Sequence, residues 1–239
     1  MNNALKKIEK FPLITVFFVL WFIVSKIISP ILQMIFYKAP FTNFLPSFGG
    51  FVMVAAIITL AVMQILKKCN IVVPIAAGVF LLAEIFGYLG TIVSFFNIVF
   101  RGHANASFVV TSLIDGLVNL LNILAIAALV VLGLYGAGII KKFGKLKLLT
   151  FAPAILAIVA FVLSVISSVC HILFNIGNPY FVAGLVISLV SSIPVALWYA
   201  LIIASAGLWI GGCGREREEA LETDDVIEVA EPIEETPAE

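Results

Sequence analysis

Apolar residues dominate this chain in long unbroken runs that short polar stretches separate. Six runs are long enough to cross a membrane as helices, since about 20 apolar residues span the ~30 Å hydrocarbon layer. They are Leu13–Tyr37, Phe48–Leu66, Ile71–Phe96, Phe108–Ile140, Leu148–Phe174 and Tyr180–Ile210. The runs do not alternate in polarity, which favours helices over the strands of a membrane barrel. The pattern predicts an all-α integral membrane protein with a six-transmembrane-helix bundle.

Basic residues predict which side of the membrane each helix end faces. If the termini and the linkers 67–70 and 141–147 share one side, that side carries eleven Lys and Arg residues. The other side then carries Lys38 and Arg101 alone. Because cytoplasmic loops are enriched in Lys and Arg, we expect both termini in the cytoplasm and the protein in the cell (plasma) membrane.

Composition supports a membrane protein independently of the runs. Hydrophobic residues make up 62% of the chain and charged residues 12%, against about 45–50% and about 25% in soluble domains. A water-soluble fold of this length has too little interior to bury that apolar surface. The lipid bilayer is therefore the first expected partner.

Charge divides the chain into a basic body and an acidic tail. Residues 215–239 carry a net charge of −9, and residues 1–214 carry +9. We expect a basic N-terminus (1–12), a helical domain (13–210) and a disordered acidic cytoplasmic tail (211–239), because the tail is rich in Glu and poor in aromatics. The aliphatic cluster 224–229 could dock a cytoplasmic protein partner of residues 215–239; otherwise the tail only solubilises the chain end.

The prolines suggest an internal repeat. Pro12, Pro74 and Pro153 each open a helix that leaves the cytoplasm, and each follows a lysine by five or six residues. Three copies of one hairpin would give this pattern. The alternative is that proline simply favours the first helical turn.

Small residues mark a packing stripe on the last helix. They recur every four residues at Gly184, Ser188, Ser192, Ala196, Ala200 and Ala204. A shorter stripe on the fifth helix comprises Ala160, Ser164 and Ser168. Small side chains let helix backbones approach closely in lipid, so the long stripe is either the contact between these two helices or a dimer face.

Three charged residues fall inside the predicted helices: Lys26, Glu84 and Asp115. Each costs about 2.5–3.5 kcal/mol at a helix centre, so each should face protein or water. Their helix positions place them at similar depth. Neighbouring polar residues on the same helices are Tyr88, Asn119 and Asn122.

These six residues form a candidate intramembrane polar site with three interpretations. Glu84 or Asp115 could bind a proton or cation, with Lys26 as counter-charge. Lys26 could instead form a purely structural ion pair with one of the acids. In the third, Lys26 extends to the outer interface.

The cysteines give no disulfide framework and no zinc spacing. Cys69 and Cys213 fall at predicted cytoplasmic helix ends, and Cys170 lies on the fifth helix. Cys213 has the setting of a palmitoylated juxtamembrane cysteine. The simpler alternative is an inert thiol.

No motif of hydrolases, metalloproteases or nucleotide-binding proteins occurs in the sequence. We expect a non-enzymatic protein without catalytic residues, cofactor, metal or nucleic-acid partner. The leading interpretation is an accessory or scaffold protein that recruits partners through its acidic tail. The alternative is a small transporter or channel that uses Lys26, Glu84 and Asp115. Its oligomeric state does not follow from the sequence.

Overall fold

The computed structural model describes residues 11–37, 48–102, 106–140, 150–174 and 179–228. Every element in these ranges is helical, which confirms the all-α prediction. The helices are α1 (Leu13–Phe22), a π-helical segment (Ile23–Ile28), α2 (Ser29–Tyr37), α3 (Phe48–Ile65), α4 (Val72–Phe100), α5 (Ala106–Gly136), α6 (Ala152–Phe174) and α7 (Pro179–Glu228).

Five helical stretches within the described ranges are long and apolar enough to cross a membrane. They are Leu13–Leu32, Val72–Phe100, Ala106–Gly136, Ala152–Phe174 and Gly184–Leu221. The remaining helix, α3, is apolar but shorter. Helix length and composition thus indicate an integral membrane protein, with five candidate membrane-spanning helices among the described residues.

The helices form a closed ring. Helices α3 to α7 pack one against the next, and α1 packs between α3 and α7. Helix α7 also contacts α5. This arrangement makes α7 the element that joins the beginning of the chain to its second half.

The buried core lies toward one end of this ring, which we call the closed end. It is defined by the fully buried side chains Ile14, Leu60, Val73, Leu132 and Ile210. At the opposite, open end, large apolar side chains are exposed, among them Phe100, Leu113 and Val190 at 83%, 63% and 62%. The buried side chains of the bundle are therefore concentrated at the closed end.

Proline and glycine bring two helix pairs into close contact at the closed end. A Cβ on Gly133 would lie 2.9 Å from the Cα of Pro74, and one on Gly207 would lie 2.9 Å from the Cβ of Pro153. Glycine lets the α4–α5 and α6–α7 backbones approach in this way.

The predicted small-residue stripe of α7 is buried only in part. Ala200 and Ala204 are buried, whereas Ser188 and Ser192 toward the open end are exposed. Helices α6 and α7 are neighbours. The stripe therefore serves close helix contact at the closed end only, and the dimer-face alternative stays a prediction for its exposed part.

Helices α3 and α5 end in the same hydrogen-bonding pattern, the Schellman motif. Its left-handed residue is Lys67 in α3 (φ 53°) and Gly138 in α5 (φ 77°). The closing bonds run from the Lys68 N–H to the Met63 carbonyl and from the Ile139 N–H to the Leu134 carbonyl. A left-handed conformation costs a residue with a side chain about 1–2 kcal/mol, so Lys67 is held there against its preference.

The predicted tail differs from the structure. Instead of becoming disordered at residue 211, the chain stays helical to Glu228 as part of α7. The glycines of this segment accommodate neighbours: Gly211 faces Thr150, and Gly214 faces the ring of Tyr135. Residues 229–239 lie outside the described residues.

Two polar contacts hold the start of this extension against α5. The Tyr135 hydroxyl donates a hydrogen bond to Oε2 of the buried Glu218. From the preceding residue of α7, Nη1 of Arg217 donates to the carbonyl of Ala137 across 2.8 Å. Charge composition predicted disorder because it takes no account of these pairings with the bundle.

Candidate functional site

Asp115 lies in the first third of α5, where α5 faces α6. Its Oδ1 accepts a hydrogen bond from the Ser167 hydroxyl of α6 across 2.6 Å. Ser167 is buried, so lipid does not reach this side of the carboxyl group. An ionised carboxylate can accept about four hydrogen bonds, which leaves Asp115 capacity for a further donor.

A cavity of about 570 Å³ lies beside Asp115, between α4 and α5. Its polar lining consists of Tyr88, Thr91, Ser94, Ser112 and Asp115, and the rest is mainly Phe, Leu and Ile. Small-molecule sites typically have a volume of about 300–1,000 Å³ and combine apolar walls with a few polar groups. This cavity has both features.

The polar groups of the cavity differ in what they still offer. The hydroxyls of Thr91 and Ser94 donate to carbonyls of their own helix, at 3.3 Å and 2.9 Å. The Tyr88 hydroxyl lies across from α5, 3.8 Å from where a Cβ on Gly116 would be, and it has no hydrogen-bond partner among the described residues. The cavity thus presents an acid and an unengaged phenol.

Aromatic rings form the wall nearest the open end. Phe95 of α4 stacks on Phe108 of α5 with ring centroids 5.9 Å apart and planes at 13°. Phe96 meets Phe95 edge-on at 5.6 Å. Aromatic faces attract organic cations, so this wall and Asp115 favour the same kind of charge.

Glu84 belongs to a second polar cluster, formed where α1, α4 and α7 meet. Its Oε2 accepts a hydrogen bond from the Tyr199 hydroxyl across 2.9 Å. The Tyr199 ring lies between Trp21, at 6.4 Å, and Phe80, which it meets edge-on at 5.9 Å. The carboxyl group thus has one hydroxyl as its donor, and that hydroxyl belongs to a ring held between two other aromatic side chains.

Lys26 lies in the π-helical segment. Its Nζ stands 5.8 Å from the ring centroid of Trp21, a cation–π contact, and it forms no ion pair within the described ranges. Pro30 has no N–H to donate to the Lys26 carbonyl, four residues earlier. The adjacent backbone shifts to π-type bonding, with the Ser29 N–H donating to the Val24 carbonyl.

The structure therefore does not unite the three predicted charges in one site. Each has its own neighbour: Trp21 for Lys26, Tyr199 for Glu84 and Ser167 for Asp115. Within the described residues, Lys26 forms no ion pair with either acid, and its ammonium group lies against the ring of Trp21 instead. Tyr88 joins Asp115 at the cavity, whereas the half-buried Asn119 and Asn122 do not line it.

The sequence missed the partners of both acids. Ser167 and Tyr199 lie in long apolar helices, and no spacing relates them to Asp115 or Glu84, 52 and 115 residues away. The only available signal was that a buried acid requires some hydrogen-bond donor. That rule shows that a partner exists without identifying it.

Searches of known protein families, curated proteins and solved structures find no match for this chain.

Proposed function

We propose that the protein is a small membrane carrier, whose cavity binds an amphipathic organic molecule with a cationic group. The observation that supports this most directly is the position of Asp115 on the wall of the 570 Å³ cavity. The carboxylate would pair with the cation, and the apolar walls would hold the rest of the molecule. This favours the transporter interpretation of the sequence over the scaffold.

The two ends of the bundle support a carrier. A carrier exposes its site to one side of the membrane at a time and closes the other. Here the fully buried side chains are concentrated at the closed end, and the cavity lies toward the open end. In such a cycle this arrangement would be one access state.

We further propose six spans, with both termini in the cytoplasm and the protein in the cell (plasma) membrane. Helix α3 would supply the sixth span, because a bilayer can thin around a short helix. The eleven basic residues assigned to one side support a cytoplasmic closed end. The cavity would then lie in the half of the membrane nearer the exterior.

A threefold hairpin repeat remains part of the proposal. Two features that recur between hairpins support it: the contacts of Pro74 with Gly133 and of Pro153 with Gly207, and the similar ends of α3 and α5 at Lys67 and Gly138. In the first hairpin, the contact between the two helices at this end is a hydrogen bond instead of a proline–glycine contact. The Oε1 atom of Gln64 in α3 accepts it from the Ile14 N–H in α1 across 2.9 Å.

Recruitment of a cytoplasmic partner is the second candidate function. The observation that favours it is the exposure of an acidic and an aliphatic side chain, Glu219 and Leu221, where α7 extends beyond its contacts with α5. This role would use a surface separate from the cavity. Loss of residues 219–239 would abolish it and leave ligand binding intact.

The carrier proposal is tested by equilibrium dialysis of the detergent-purified protein against labelled tetraphenylphosphonium, an apolar cation. We expect saturable binding and at least an approximately tenfold weaker affinity for Asp115→Asn, which corresponds to a loss of about 1.4 kcal/mol. Asparagine keeps the side-chain shape and an acceptor for Ser167. Proteoliposomes then test whether the bound cation crosses the membrane.

Glu84→Gln is the matched control, because it neutralises an intramembrane acid outside the cavity lining. It should bind the probe as the native protein does. Equal binding by native protein and a stably folded Asp115→Asn variant would overturn the proposed site, and binding without uptake would reject transport.

A further inference from the structure

Two of the three cysteines lie together at the closed end. The thiol of Cys69, in the turn between α3 and α4, is hydrogen-bonded to the thiol of Cys213 in α7. The two residues are 144 positions apart in the chain. Their meeting is a product of the fold, and neither spacing nor local pattern indicated it.

Surrounding contacts fix this pair independently of the sulfur hydrogen bond. Cys69 Sγ lies over Gly136 of α5, next to the side chain of Ile210. Ile210, Cys213 and Arg217 follow one another on a single face of α7, because residues three and four apart share a helix face. That face is held to α5 by the bond from Arg217 to the Ala137 carbonyl.

Neither cysteine of the pair is fully enclosed. Both are only partly buried, and Cys69 lies beyond the last turn of α3, which ends at Ile65. Fully enclosed core cysteines are chemically inert, whereas accessible neighbouring thiols can be oxidised.

We propose that Cys69 and Cys213 form a reversible disulfide, a redox modification site that ties the α3–α4 turn to α7. In the reducing cytoplasm such a bond would be transient and respond to oxidants. This inference does not rest on the proposed carrier function.

The chemistry balances with a low-molecular-weight disulfide as oxidant. One cysteine thiolate attacks a sulfur of oxidised glutathione, which forms a mixed disulfide and releases one glutathione thiolate. The second cysteine thiolate attacks the protein sulfur of that mixed disulfide and releases the other. The protons lost by the two protein thiols are taken up by the two glutathione thiolates, so the protein is oxidised and glutathione is reduced.

The pH dependence follows from the surroundings of the pair. The hydrogen bond to Cys213 and burial raise the pKa of Cys69, and Arg217 opposes this more weakly. The reactive thiolate is therefore scarce at neutral pH. The rate of crosslinking should rise with pH, by up to about tenfold per unit below the pKa.

The test treats the full-length purified protein with oxidised glutathione and maps its cysteines by peptide mass spectrometry. We expect a peptide pair linked through Cys69 and Cys213, mass loss of two hydrogens per chain, and full reversal by dithiothreitol. Cys170→Ser is the matched control and should crosslink as the native protein does. Cys69→Ser should instead accumulate a glutathione adduct on Cys213.

Two results would overturn the proposal. One is separate glutathione adducts on Cys69 and Cys213 that persist without resolving into the linked peptide. The other is that Cys69 and Cys213 of the native protein both stay reduced under conditions that convert Cys213 of the Cys69→Ser variant completely to its glutathione adduct. Because the readout is a covalent bond, neither result depends on whether the cavity binds a ligand.

Discussion

The hydroxyl of Tyr199 donates a hydrogen bond to the carboxyl group of Glu84 across 2.9 Å, and so connects α7 to α4. No hydrophobic or charge pattern relates these two residues. The same Tyr199 ring neighbours Trp21, which in turn receives Lys26. Lys26 and Glu84 are therefore connected through two aromatic rings rather than by direct contact.

Double-mutant cycles should show that Glu84 depends on Tyr199 and not on Lys26. Tyr199→Phe leaves the carboxyl group without its donor and should cost about 1–3 kcal/mol of unfolding free energy. Coupling with Glu84→Leu should reach about 1 kcal/mol, whereas Lys26→Leu with Glu84→Leu should couple by less than about 0.5 kcal/mol. Both cycles are measured by unfolding in detergent. A stronger coupling of Glu84 with Lys26 than with Tyr199 would instead support an ion pair between Lys26 and Glu84.

Gly133 should not tolerate a methyl group. Gly133→Ala places a Cβ 2.9 Å from the Cα of Pro74, so the α4 and α5 backbones must separate at a cost of about 1–3 kcal/mol. Gly78→Ala is the control because its Cβ would meet nothing within 4 Å, and alanine should stabilise that helix by up to about 1 kcal/mol. Melting temperatures should shift in opposite directions; a shared direction would contradict the close approach.

Lys67→Gly should stabilise the protein. Glycine adopts the left-handed conformation at φ 53° freely, which should raise the unfolding free energy by up to about 1 kcal/mol. Lys68→Gly removes the same charge one residue later and should bring no gain. Chemical unfolding of both variants in one detergent makes the comparison, and equal effects would show that charge rather than backbone conformation matters.

The first turn of the α7 extension should contribute to stability. A chain that ends after Gly214 loses the Tyr135–Glu218 and Arg217–Ala137 hydrogen bonds, at a cost of about 2–4 kcal/mol. A chain that ends after Leu221 keeps both and serves as the control. If thermal unfolding gives both truncated chains the stability of the full chain, the extension is energetically independent of the body.

Much of the fold could be predicted because a bilayer imposes simple rules. Continuous apolar runs have to be helices, and their ends were marked by lysine, proline and glycine. The error at residue 211 arose where those rules conflict with a specific contact. Gly211 and Gly214 resemble a helix end in sequence, yet they make room for Thr150 and Tyr135.

Only the charged residues of the candidate site could be predicted from the sequence. Burial of a charge is expensive wherever it occurs, so Glu84 and Asp115 could be singled out from one helix each. Whether the two acids share a site depends on how each helix is rotated about its own axis. A helix that is apolar on all sides has no polar face in its sequence from which that rotation could be predicted. The sequence therefore indicated which acids matter and not that they occupy separate sites.

The cavity beside Asp115 opens sideways between α4 and α5, among exposed apolar side chains that include Phe96, Leu113 and Leu117. A molecule that reaches the carboxyl group this way dissolves in the hydrocarbon before it binds. The occupancy of the cavity then follows the mole fraction of the molecule in the lipid. Added lipid therefore lowers the occupancy even when the total amounts of protein and ligand stay the same. Apparent affinities would accordingly scale with the partition coefficient, and compounds would rank by lipid solubility as well as by fit.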